Sequence, residues 1–253
     1  MSLPRYPALM VSRAVPRAAL GLAIVSAVVL ILSGFGYRWG WWSVGTSFSV
    51  LRVAAFAGIA VGILALVGVG LAAVARAWPG VVLAVLALAI AAGVAWLPLS
   101  FQKMARTVPR IHDITTDTEH PPVFVAILER RRGAPNPPGY DGPEVAAEQK
   151  RGYPDLGPAT VPVPPDRALA AAEATARALG WEIVAVVPAE GRLEATATTP
   201  WFGFKDDVVV RVTPEGSGSR VDVRSKSRIG RSDLGTNAKR IRAFLTDLRS
   251  HLA

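Results

Sequence analysis

The first 102 residues contain neither aspartate nor glutamate; all 19 acids follow Gln102. A soluble domain of that length carries acids over its surface. A chain solvated by lipid does not, because an ionised side chain at the bilayer centre costs about 2.5–3.5 kcal/mol. Cysteine is absent throughout, which excludes disulfides, thiolate metal sites and a cysteine nucleophile and leaves the compartment open. Histidine occurs only three times. These absences describe a membrane-embedded segment followed by a soluble domain.

What the first segment does contain is apolar runs punctuated by arginine. Residues 18–36, 53–75 and 80–101 are uncharged, between Arg17 and Arg38, between Arg52 and Arg76, and before Lys103. A helix needs about 20 residues to cross a hydrocarbon core of about 30 Å, so residues 1–102 are expected to be an α-helical bundle of three spans. Tyr37, Trp39, Trp41, Trp42, Trp78 and Trp96 stand where an interfacial aromatic belt belongs. Phe35-Gly36-Tyr37-Arg38 is a poor cleavage context, so the first span reads as an uncleaved anchor. Gly58-Ile-Ala-Val-Gly62 lets helices approach closely, inside the bundle or in a homodimer. No span carries an interior ionisable residue, which argues against transport by the bundle alone.

Of the net charge of +9, six units come from Arg5, Arg13, Arg17, Arg38, Arg52 and Arg76. They read as topology signals rather than a nucleic-acid surface. With the N-terminus inside, Arg5, Arg13, Arg17 and Arg76 lie inside and Arg38, Arg52, Lys103, Arg106 and Arg110 outside. The flanks of the first span favour that orientation. Three spans then put the C-terminal domain outside, which is the periplasm for a bacterial inner membrane.

Residues 103–253 are expected to form the soluble domain. From Pro135 to Pro165 nine of 31 residues are proline, and 133–165 reads as an extended loop packed over the domain, or as a tether. Asp166–Leu179 has a helical apolar face of Leu169, Ala172, Ala176 and Leu179, stopped by Gly180. Four strands are expected at Glu182–Val187, Arg192–Thr199, Lys205–Thr213 and Arg220–Arg228, joined by short turns at Gly191 and Gly216–Gly218. Period-two alternation predicts a sheet with one wet face. Asn237–His251 carries Ile241, Phe244, Leu245 and Leu248 at helical spacing, with Asn237 as N-cap. The fold class is α+β, an antiparallel four-strand meander flanked by helices.

Asp113-Ile-Thr-Thr-Asp117, Pro121-Pro122-Val-Phe124, Gly180-Trp181 and the block from Arg224 to Phe244 resemble domain-of-unknown-function family 1499. The resemblance covers Thr107 to Leu252. It implies the domain boundary and, because anchors or export signals often precede that domain, an extracytoplasmic site. It supplies no catalytic or binding residues.

His112, Asp113, Asp117, Glu119 and His120 crowd into nine residues. Asp113 and Asp117 suit a hard divalent ion, but no metal motif surrounds them, and turn chemistry explains them as well. Ser225, Ser227 and Ser232 with Asp233 lack a nucleophile elbow. Gly230–Gly235 precedes a helix and fits an anion loop or a tight connection. Between Arg220 and Arg249 nine basic residues face three acids. Arg220, Lys226, Arg231, Lys239 and Arg242 are expected to face the bilayer, with anionic headgroups or an envelope protein as partners and no nucleic acid. Ligand-binding candidates are Asp113, Asp117, Arg224, Ser227, Arg228 and Asp233. No catalytic residue, metal or cofactor is expected. The expected function is display of a small ligand-, lipid- or partner-binding domain at the membrane surface. The alternatives are a membrane-bound hydrolase or metal-dependent enzyme, and an accessory subunit of a membrane complex.

Overall fold

The structure, a computed structural model, describes residues 5–252, and their side chains from Met10 onward. Arg5, counted in the charge comparison, has its side chain outside the described residues. The chain divides into two compact units: residues up to Lys103 with Trp201–Gly203, and Met104–Pro200 with Phe204 onward.

The first unit holds α1 (Arg5–Arg38), α2 (Val44–Val74) and, as far as Lys103, α3 (Trp78–Thr107). All three are long and apolar enough to cross a membrane. Each buries one narrow stripe at alternating spacings of three and four. In α2 it is Ser47, Leu51, Ala54, Gly58, Val61, Ala65, Gly68 and Ala72; in α3 it is Gly80, Ala84, Ala87, Ala91, Val94 and Pro98. Ala19 and Ala23 of α1 join Val61, Ala65, Ala87 and Ala91 in one cluster. This is the heptad seam of a left-handed bundle built from small residues, which let the backbones close in. At Gly58 an added Cβ would lie 2.9 Å from Val94 and 3.1 Å from the Ala91 carbonyl. Gly58 therefore serves packing within the bundle, whereas a Cβ at Gly62 would meet Ala91 and Leu88 only at 3.9 Å. The outer faces expose Phe56, Ile63, Leu66, Val82 and Leu86, a surface suited to lipid.

The second unit contains six strands: β1 (Asp113–Thr115), β2 (Ala159–Val161), β3 (Glu182–Val187), β4 (Arg192–Thr198), β5 (Lys205–Glu215) and β6 (Gly218–Ser227). Strands β3 to β6 form the expected antiparallel meander. The sheet order is β1-β6-β5-β4-β3, and β2 also pairs with β6, beside Ser219–Val221, whereas β1 lies beside Arg224–Lys226. Gly191 sits at the β3–β4 turn with φ +59°, where a Cβ would strike the Val212 carbonyl at 2.1 Å.

Helices α5 (Pro165–Ala178) and α6 (Thr236–Leu252) cover one face of the sheet. Leu193, Ala195, Val208, Val210, Val221 and Val223 meet Leu169, Ala172 and Ala176 of α5 and Ile241, Phe244 and Leu248 of α6. Trp181 stacks on Phe244 with ring centroids 5.2 Å apart.

Two expectations change. The proline-rich 133–165 segment is not a structureless tether. It contains α4 (Pro143–Gly152), started by a proline in its first turn, and β2. Asn237 does not cap α6. Asp233 does, its Oδ1 and Oδ2 each accepting from a backbone N–H, of Gly235 and Asn237, both at 2.8 Å.

Candidate functional site

Alternation along β4, β5 and β6 places charge on the sheet face opposite the helices. That face carries Arg192, Glu194 and Thr196, then Asp207, Val209 and Arg211, then Arg220, Asp222, Arg224 and Lys226, with Asp113 and Thr115 of β1 beside them. In register Asp207 faces Lys226 and Arg211 faces Asp222. The face is not wet. Asp113, Glu194, Asp207, Asp222 and Lys226 are 0% exposed and Arg224 is 1% exposed. The residues between Thr116 and Asp141, including a 3-10 turn at Ala126–Arg131, supply the groups that meet it.

Each buried charge is matched by a partner. Arg224 donates to both carboxylate oxygens of Asp113, at 2.9 and 2.8 Å, and to the carbonyls of Pro122 and Pro138. Its guanidinium lies over the rings of Phe124 and Tyr140, 4.8 and 5.4 Å from their centroids. Lys226 Nζ donates to Asp141 and to the Gly139 carbonyl, both at 2.6 Å, and lies 3.1 Å from Asp113. Asp207 binds Arg131, Arg228 and the Thr196 hydroxyl. Glu194 accepts from the N–H groups of Val125, Ala126 and Ile127, capping the 3-10 turn, and from Arg192. Asp222 binds Arg211 and Arg220, and Asp117 binds the same two arginines. Burial, with Asp113 nearby, pushes the Tyr140 phenol up to about 12, so it remains neutral.

The sequence-derived candidates therefore separate. Asp113, Asp117, Arg224 and Arg228 belong to this polar layer. Ser227 and Asp233 lie on the helix side. Ser227 Oγ accepts from Asn237 Nδ2, Ser225 Oγ donates to Asn237 Oδ1, and Arg240 bridges Ser225 to Asp206. Burial pushes the Asp233 carboxyl up, against its two N–H donors. Ser232 Oγ accepts from the Leu234 N–H. Among the described residues no serine bonds to a histidine. His112 stands beside Asp141, and His251 beside Thr175. Asp117 Oδ1 accepts from the N–H groups of Glu119 and His120, the turn chemistry the spacing allowed. No group of three or more His, Asp or Glu side chains that could hold a metal is found among the described residues.

One residue of the basic set expected to face the bilayer requires correction. Lys226 is fully buried, held by Asp113 and Asp141. Arg220 is ion-paired to Asp117 and Asp222, and Arg242 binds Asp155 through two bonds. Only Arg231 and Lys239 of the five remain exposed.

Sequence reasoning missed Arg131, Asp141, Arg192, Glu194, Asp207, Arg211 and Asp222. One signal was available: the meander itself sets Asp207 against Lys226 and Asp222 against Arg211.

An opening interrupts the layer. A cleft of about 320 Å³ is lined by His120, Pro121, Pro122, Val123, Val125, Glu190, Arg192, Val209 and Arg211. A second hollow of about 300 Å³, lined by Gln149, Tyr153, Leu156 and neighbours, lies elsewhere on the unit.

Residues 113–248 match the family described as "Protein of unknown function (DUF1499)", over half of the chain. No curated protein matches the chain. Among solved structures, that of TTHA0849 from Thermus thermophilus is similar at 14% identity, covering 38% of this chain and 94% of that one, with a TM-score of 0.26.

Proposed function

We propose, for a chain that belongs to the DUF1499 family of proteins of unknown function, a non-enzymatic role: a three-helix anchor displays an α+β domain that binds a small ligand at the membrane surface. One observation carries this reading. On the charged sheet face, Asp113, Asp117, Asp141, Glu194, Asp207 and Asp222 all already hold an internal cation. None is left as a general base beside a nucleophile, so the layer fixes the domain's structure while the cleft beside Arg192 and Arg211 stays open. The hydrolase or metal-enzyme alternative needs those carboxylates free.

The proposed orientation has the N-terminus in the cytoplasm and the domain outside, in the periplasm of a bacterial inner membrane. It is supported by Arg13 and Arg17 before the first span and by the odd number of spans. Attraction to anionic headgroups would rest on Arg231 and Lys239, at about 1 kcal/mol each.

The test is native mass spectrometry of the full-length protein extracted from its membrane in mild detergent. The wild type should carry a small molecule that a cleft-filling Val125→Trp variant has lost. A wild type without added mass, or a variant that keeps it, refutes the reading.

A further inference from the structure

One face of α3 changes character toward its C-terminal end. Val85, Ala92, Trp96, Leu99, Lys103 and Arg106 are all exposed. Their spacings of three, four or seven residues keep them in a single row along the helix. That row is clear of the buried seam at Ala84, Ala87, Ala91, Val94 and Pro98. Trp96 is 67% exposed and Leu99 49%. The row is apolar first, carries an indole near the end of its apolar part, and ends in two cations. A bilayer presents its layers in that order: hydrocarbon, interface, headgroups.

The lengths agree. From Trp78 the helix rises about 38 Å to Lys103 and about 42 Å to Arg106, at about 1.5 Å per residue. A bilayer with its headgroups spans about 40–45 Å. With the exposed Trp78 at one interface, α3 delivers both cations to the headgroup layer of the opposite leaflet.

The chain leaves these two charges uncompensated. Neither side chain has a carboxylate partner among the described residues. No acid occurs in α1, α2 or α3, and the first acid after them, Asp113, is buried and held by Arg224 and Lys226. Like charges three residues apart on a helix repel. One phosphate between them would replace that repulsion with two attractions, and the apolar row below it suits an attached acyl chain. We propose that this face of α3 is a binding site for one anionic phospholipid. Lys103 and Arg106 hold its phosphate, the Trp96 indole sits at the level of the ester carbonyls, and a chain lies along Leu99, Ala92 and Val85. The site is separate from the cleft and from the attraction assigned above to Arg231 and Lys239.

The test is native mass spectrometry of the full-length protein in a detergent with an uncharged head, titrated with phosphatidylglycerol or with phosphatidylcholine of the same chains. Each bound lipid adds a resolved mass, so the Kd of the first is read directly. Phosphatidylglycerol should bind about tenfold or more tightly than phosphatidylcholine, whose choline cancels the phosphate charge. Lys103→Gln with Arg106→Gln should remove that preference. Lys103→Arg with Arg106→Lys should keep it, because both charges remain. These side chains are exposed, so neither pair of changes should disturb folding. Arg13→Gln with Arg17→Gln should change nothing, since they lie at the other end of the bundle, where the Ser12 carbonyl approaches Gly80. The cleft-filling Val125→Trp variant should also keep the preference, so this proposal and the cleft reading fail on different results. Equal affinity for the two lipids, an unaltered preference in the glutamine pair, a preference lost in the Arg13 and Arg17 variant, or displacement of the bound lipid by inorganic phosphate each overturns the proposal.

Discussion

Replacing Arg224 by methionine tests whether the charged sheet face is a structural layer. The substitution keeps much of the volume and removes two bonds to Asp113, one each to the carbonyls of Pro122 and Pro138, and the ring contacts with Phe124 and Tyr140. Asp113, 0% exposed, keeps only Lys226 as a cation partner, at 3.1 Å. Removing one member of a buried pair costs about 3–5 kcal/mol. Whole domains hold about 5–15 kcal/mol, so the loss is a large fraction. Adding Asp113→Leu removes the stranded carboxylate and should recover about 1–3 kcal/mol of it. Recovery stays partial because the two carbonyls remain unpaired. The measurement is pulse proteolysis across a urea series on the full chain in micelles, with Lys239→Gln as an exposed control expected within about 0.5 kcal/mol of wild type. An Arg224→Met variant as stable as that control, or a double variant showing simple additivity, would refute the argument and return Arg224 to a solvated face.

Alkaline phosphatase fused after Phe101 or at the C-terminus should be active in both cases if the N-terminus is cytoplasmic; inactivity of both reverses the orientation. Asp117 gives a pH prediction. Its own burial raises its pKa, but the His120 and Glu119 N–H groups and Arg220 and Arg211 outweigh that and hold it below 3.8. A folded pKa below the unfolded one adds stability that is present above 3.8 and is lost as pH falls through the folded value. The stability gap between wild type and Asp117→Asn should therefore be widest at neutral pH and close on acidification; a gap constant from pH 7 to pH 2 contradicts it.

Periodicity read the secondary structure well. The ends of β3 match at Glu182 and Val187, and α5 and α6 lie within a residue or so of their expected limits. The spans were legible because lipid excludes acids from a long window. What periodicity does not reveal is what lies over the other face. Alternation of Arg220, Asp222, Arg224 and Lys226 with valine and serine says that the two faces differ, and polar usually means solvated. Here it means paired, because the segment from Thr116 to Asp141, which has no period of its own, brings Asp117, Arg131 and Asp141 and the carbonyls of Pro122, Pro138 and Gly139 to that face. The N-cap of α6 departs from expectation for a related reason. Asn237 is a good capping residue, but its amide is engaged by Ser225, Ser227 and the His112 carbonyl, and Asp233 takes the terminus.

The dry ionic layer also constrains how the sequence can change over time. An oily lid tolerates gradual substitution, since one methyl group stands in for another. Directional pairs do not. A lineage that loses Arg224 strands Asp113, and one that loses Asp207 strands Arg131 and Arg228 together. Viable drift in this half of the domain is thus expected to move in matched sets of acid and base, or to exchange a whole set for apolar residues at once. Related sequences should show linked charge changes at positions 113 and 224, and at 131, 207 and 228, while the valines on the helix side vary independently.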